Sequence, residues 1–186
     1  MDVPEVSDPA AYSRGVRKLL VLVACFAAQS TAQTYLGQKF NAATFGPCVQ
    51  YGCKALATVR VNDYGPARTE RTFQLKKRDV KLTVTVLNET GRVIGIDALV
   101  LRSPIDLSDE AVFLQLIQKS AGGMYRPEVI SRCYDKLAQT GGDSGMENPD
   151  GFQEELMLAR DHIGVKCFTK AYGNSEASGI RIFFGD

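Results

Sequence analysis

The cysteines of this chain have the residue type and number to do redox or metal chemistry. Five are present, and four of them, Cys48, Cys53, Cys133 and Cys167, follow residue 32. An even set in an exported chain favours two disulfides over free thiols, and the Cys-x4-Cys spacing is a poor match to zinc sites. Three pairings are open. We favour Cys48 with Cys53 as a local link and Cys133 with Cys167 as a helix-to-strand link, and we expect no metal and no cofactor.

His162 is the only imidazole in the sequence, and it follows Asp161 at the end of a predicted helix. Nucleophilic catalysis needs a base beside the nucleophile, and no Gly-x-Ser-x-Gly motif accompanies this histidine. The carbonyl end of a helix favours a cation, so the pattern predicts a capping or surface role. We therefore assign no catalytic residue from the sequence.

Two short segments contain acidic residues in recognisable settings. Residues 59–67 read Val-Arg-Val-Asn-Asp-Tyr-Gly-Pro-Ala, and residues 105–108 read Ile-Asp-Leu-Ser, with Ala111 following. They resemble the two signature stretches of the double-psi barrel domain of the rare lipoprotein A family, which cleaves peptidoglycan glycan strands. The resemblance implies that Asp63 shapes a groove and that Asp106 is the acid. Taken directly, the same residues predict a strand turn and a helix start.

A locally basic stretch follows the first of these segments. It carries two interspersed acids, Glu70 and Asp79, and its cations are Arg68, Arg71, Lys76, Lys77, Arg78 and Lys81. Such a stretch is typical of a solvated strand face. Lipid headgroups, cell-wall polymers or an acidic protein are the ligands it would suit.

The N-terminal region has the pattern of an export signal. Arg17 and Lys18 precede a ten-residue apolar run, residues 19–28, and small residues end at Ala32. The run is too short for a bilayer span, which needs about 20 residues. The pattern predicts a cleavable signal peptide over residues 1–32, a mature chain that begins at Gln33, and a periplasmic or extracellular location.

Two alternatives concern this same region. The acids before Arg14 are unusual in a signal, which favours a true translation start at Val16 over a long N-terminal extension. Residues 22–25 also fit a loose lipobox, in which Cys25 would be lipidated and would anchor the protein to a membrane. The apolar run continues past Cys25, which favours soluble export.

Residues 33–186 have the length and composition of one α+β domain. They carry 19 basic and 18 acidic residues, which gives no reason to expect nucleic acid or an anionic membrane as partner. Apolar alternation and turn residues predict an antiparallel β meander followed by a C-terminal β hairpin. The predicted strands are residues 55–61, 71–75, 80–87, 92–101, 165–172 and 179–184.

Helical periodicity predicts two or three helices on one face of that sheet. The first begins at Asp106 or Ser108 and ends at Gly122, and the second begins at Pro127 and ends at Gly141. A third, with Phe152, Leu156, Ala159 and Ile163 on one side, is predicted from residue 149 or 150 to about residue 162.

The sequence favours a non-enzymatic exported protein that binds an unknown protein or cell-envelope ligand, because it has a normal core and no convergent catalytic set. One alternative is a peptidoglycan-cleaving enzyme built on Asp63 and Asp106. Another is an inhibitor that presents the segment between Cys48 and Cys53 to a partner enzyme.

Overall fold

The computed structural model of the chain describes residues 34–63, 65–140, 151–172 and 175–185. The predicted signal peptide, its cleavage position between Ala32 and Gln33, the start at Val16 and the lipidation of Cys25 all lie outside these residues. Residues 33–186 form one compact unit. Within the part that is described, no helix has the length and hydropathy needed to span a bilayer.

A seven-stranded antiparallel sheet organises this unit, with the strands in the order β1-β2-β3-β4-β7-β6-β5. Three helices accompany it within the described residues, so the α+β architecture predicted from the sequence is confirmed. The strands are β1 Cys53–Val61, β2 Arg68–Leu75, β3 Lys81–Leu87, β4 Val93–Val100, β5 Gln153–Arg160, β6 Ile163–Tyr172 and β7 Ser175–Phe184. The helices are α1 Gly46–Tyr51, α2 Leu107–Ala121 and α3 Glu128–Thr140.

The core lies between one face of the sheet and the helices α2 and α3. Alternate residues of the central strands, such as Leu82, Val84 and Ile96, are fully buried on this face. Phe113 and Leu116 of α2 pack against them and are also fully buried. The alternate apolar residues of the strands and the apolar side of α2 therefore form one buried layer. These helices leave the opposite face of the sheet open.

Helix α2 begins at a capping box. The carboxylate of Asp106 accepts hydrogen bonds from the backbone N–H groups of Ser108 (2.8 Å) and Asp109 (2.9 Å). The carboxylate of Asp109 in turn accepts a hydrogen bond from the backbone N–H of Asp106 (3.5 Å). This satisfies N–H groups that the first helical turn leaves without intrahelical partners. Of the two helix starts predicted from the sequence, Asp106 and Ser108, the structure has Asp106 as the N-cap.

The predicted third helix is wrong, because its described residues form β5 and the turn that follows it. Strand β5 pairs with β6 from Gln153 to Arg160 with an irregularity between Leu156 and Leu158. Asp161 and His162 then reverse the chain with φ angles of 49° and 63°. Two consecutive residues with positive φ are typical of a two-residue β-hairpin turn.

Both disulfides of the structure have the favoured pairing. Cys48 of α1 is bonded to Cys53 at the start of β1, and Cys133 of α3 is bonded to Cys167 of β6. The second link joins the helix layer to the sheet across 34 residues of sequence. The segment between Cys48 and Cys53 is not a loop, since α1 occupies it and buries Pro47, Cys48 and Tyr51.

Candidate functional site

The two acidic residues of the resemblance lie at opposite ends of the sheet. Asp63 follows β1 and Asp106 follows β4. Successive strands of an antiparallel meander run in opposite directions, so the end of β1 and the end of β4 face opposite ways. The open sheet of the described residues also differs from the double-psi barrel that the resemblance implies.

Each of these carboxylates has a local structural partner. Asp63 accepts from Arg68 at 2.8 Å, which closes the β1–β2 turn. Hydrogen bonds from the side chain of Ser108 and the backbone of Asp109 lower the pKa of Asp106. A general acid for glycoside cleavage needs the opposite, a raised pKa. The structure thus uses Asp63 in a turn and Asp106 in a helix cap.

His162 lies in the exposed β5–β6 turn and not at a helix end. Its backbone carbonyl accepts a hydrogen bond from the N–H of Gly185 at 2.7 Å. His162 therefore does not cap a helix end, because the residues that precede it form β5 and not a helix.

Strand β1 is the most unusual surface of the described residues. Among the described strands it pairs only with β2, so its outer edge is open. Residues 54–60 are all exposed, and they include two large apolar residues, Leu56 (47% exposed) and Val59 (53%). Natural proteins protect open edges because unpaired backbone groups on an edge strand can pair with another chain. An edge strand exposed on both faces has the features of a docking strand.

The two faces of β1 differ in chemistry. Cross-strand partners share a face, and Thr72, the partner of Ala57, lines the open face of the sheet. Val59 lies on this same face, two residues further along. The open face of the edge therefore carries Leu56 and Val59, with Lys54 at its start, since Lys54 pairs with Gln74. The other face carries Thr58 and Arg60 and is polar and cationic.

Charge is strongly divided between this edge and the rest of the unit. Residues 53–81, which contain β1, β2 and the turn before β3, carry eight cationic and three acidic residues. The remainder of residues 33–186 carries eleven cationic and fifteen acidic residues. The near-neutral total conceals a basic edge, and such a field attracts acidic partners.

The open face continues from β1 into a shallow groove of about 560 Å³. Next to β1 its lining combines apolar and hydroxyl side chains with one lysine: Leu56, Ala57, Thr72, Thr83, Leu99 and Lys81. Thr72 and Thr83 are joined by a hydrogen bond of 3.2 Å between their hydroxyls. This part of the groove offers contact area beside the edge strand.

The far side of the groove holds an internally neutralised cluster. Arg181 donates to both oxygens of Asp97, at 3.1 and 3.3 Å, and lies over the rings of Phe152 and Phe168. Burial opposes the charge of Arg181, but the carboxylates of Asp97 and Glu154 outweigh it and raise the pKa of the guanidinium. Because these charges satisfy one another, the cluster stabilises the open face and presents little net charge to a ligand.

Sequence reasoning found the basic stretch but not the edge. It placed a strand at residues 55–61 and cations at residues 68–81. The order of strands in a sheet is not a local property, so the sequence did not show that β1 would be an edge strand. No family model, no curated protein and no solved structure matches the chain.

Proposed function

We propose that this chain is an exported, non-enzymatic binding protein that takes up an extended acidic segment of a partner protein along the outer edge of β1. The observation that carries the proposal is a basic edge strand that is exposed on both faces. The partner segment would add an eighth strand to the sheet, with its backbone paired to β1.

The two faces of β1 define the composition of that segment. A β-strand directs successive side chains to opposite faces. On the open face they would contact Leu56 and Val59, which favours apolar residues at alternate positions. On the other face they would contact Arg60, which favours carboxylates between them. A segment that alternates apolar and acidic residues satisfies both faces at once.

An acetylated and amidated heptapeptide of alternating glutamate and valine is a suitable probe. We expect it to bind saturably in calorimetry, and the double variant Lys54→Glu/Arg60→Glu to bind it about tenfold more weakly, about 1.4 kcal/mol. The affinity of the unchanged protein should fall with added salt, because exposed charges are screened.

The matched control is Arg126→Glu/Arg132→Glu, which makes the same change in net charge at exposed positions before and within α3. It should bind the peptide as the unchanged protein does. A lysine–valine peptide of equal length should not bind. Equal losses of affinity in both double variants would show that binding depends on net charge and not on β1. No saturable binding up to about 1 mM would overturn the proposal.

Export is the second part of the proposal. Two intramolecular disulfides are compatible with an oxidising compartment such as the periplasm or the cell exterior. A signal peptide over residues 1–32 would deliver the chain there.

The intact mass of the protein recovered from cells tests this part. We expect a chain that starts at Gln33, with a mass about 4 Da below the fully reduced value, since each bonded cysteine loses one hydrogen. A start before residue 33, a lipid adduct on Cys25, or four thiols that alkylate without reductant would each contradict it.

A further inference from the structure

A cleft of about 400 Å³ lies between the helix layer and one end of the sheet, away from β1. Helix α3 forms one wall with Tyr134 and Leu137, and the connection from β4 to α2 forms another with Pro104 and Ile105. Its sheet side includes Thr169 of β6 and Ser178 of β7, which are cross-strand partners. Apolar walls with a few polar groups are typical of small-molecule sites.

The charged residues that line the cleft are all acidic. Glu110 comes from α2, Asp135 from α3 and Glu176 from β7, and the described lining contains no lysine, arginine or histidine. Burial, together with the nearby carboxylate of Glu128, raises the pKa of Glu110. Carboxylates that line a cleft without a cation are stabilised by a positively charged ligand.

A buried hydroxyl gives an independent indication of a ligand. Ser178 is 1% exposed, and its Oγ has no hydrogen-bond partner among the described residues. The hydroxyl of Tyr134, by contrast, donates to the carbonyl of Gly179 at 2.6 Å. A buried polar group without a partner costs free energy, so a ligand that donates to Ser178 Oγ would recover part of that cost.

The residues that line the cleft restrict the type of cation that it could bind. The described residues include no group of three or more carboxylate, imidazole or thiolate side chains close enough to hold one metal ion. The carboxylates come from three different elements, and Leu137, Pro104 and Ile105 line the same cleft. A lining that combines carboxylates with apolar surface fits an ammonium group on a carbon chain.

We propose that this cleft binds aliphatic amines, with an ammonium group among Glu110, Asp135 and Glu176, an N–H donated to Ser178 Oγ, and the carbon chain against Leu137 and Ile105. The site is separate from the β1 edge and does not depend on the partner proposed above.

Calorimetric titration with 1,5-diaminopentane tests the assignment. We expect saturable binding that weakens about fivefold in Glu110→Gln and about threefold in Ser178→Ala, since each removes one contact with the ammonium group. Glu89→Gln, which changes an exposed carboxylate in the β3–β4 turn, is the matched control and should bind as the unchanged protein does. Circular dichroism establishes that each variant is folded.

Three results with the diamine itself would overturn the proposal. The first is no saturable binding of the diamine, and the second is equal affinity in Glu110→Gln, Ser178→Ala and the unchanged protein. The third is displacement of the diamine by Mg²⁺ as effectively as by an alkylamine at the same ionic strength. The last would reduce the cleft to a nonspecific attraction for cations. Binding that pentanoate matches would contradict the role of the ammonium group.

Discussion

Replacing both Cys133 and Cys167 by alanine is expected to lower the free energy of unfolding by about 4 kcal/mol. The bond closes a loop of 34 residues, and closing a longer loop removes more entropy from the unfolded chain in the chain-entropy account. It also joins α3 to β6 at a site where Cys167 is fully buried. Urea denaturation followed by circular dichroism measures the change.

The corresponding replacement of Cys48 and Cys53 is the matched comparison. These cysteines are only five residues apart, so the same account gives a loss of about 2 kcal/mol. Equal losses for the two pairs, or a larger loss for the short one, would contradict the assignment of the long bond as the main covalent link between helices and sheet.

Replacing Arg102 by methionine is expected to cost about 3 kcal/mol of unfolding free energy. Asp109 is fully buried at the start of α2, and its Oδ2 accepts from Arg102 Nε at 2.7 Å and Nη2 at 2.5 Å. Its Oδ1 has no partner among the described residues. The variant would leave a buried carboxylate without its cation, which is far more costly than losing an exposed ion pair.

A double variant isolates that cause. Arg102→Met/Asp109→Asn removes the buried charge together with its partner, and we expect it to recover more than half of the loss. The side chain of Arg102 is 38% exposed, and its second ion pair, with Asp106 at 2.8 Å, is lost in both variants. A cost below about 1 kcal/mol in the single variant would show that Asp109 tolerates isolation. No recovery in the double variant would assign the loss to another contact of Arg102.

The central sheet could be predicted from the sequence because its local signals agree. Residues 80–87 alternate between apolar and polar side chains, and Leu82, Val84 and Val86 are the buried set in β3. The start of α2 could be predicted to within two residues, since both Asp106 and Ser108 are preferred N-cap types before an apolar helical pattern. In these elements propensity, periodicity and turn chemistry indicate the same structure.

Strand β5 shows why local signals fail. Residues 153–160 are rich in helix-forming types, and Phe152, Leu156 and Ala159 have helical spacing. The irregularity between Leu156 and Leu158 disrupts the period-two pattern that would have indicated a strand. Pairing with β6 and packing under α3 override the intrinsic preference, and neither is visible in the segment itself.

The candidate sites depend on long-range placement even more than β5 does. The basic residues were evident, but the open edge of β1 follows from the order of all seven strands. The cleft joins Glu110, Asp135, Glu176 and Ser178, which come from α2, α3 and β7. No short motif contains such a set, so sequence periodicity gives no signal for it.

Amide hydrogen exchange across β1, with and without the glutamate–valine heptapeptide, tests strand addition most directly. We expect the outward-facing amides of residues 54–60 to exchange at least tenfold more slowly when the peptide is bound, because they become hydrogen-bonded to its backbone. The amides of α2 should be unchanged. Saturable binding without added protection in β1, or protection confined to the groove around Phe152 and Phe168, would contradict the account.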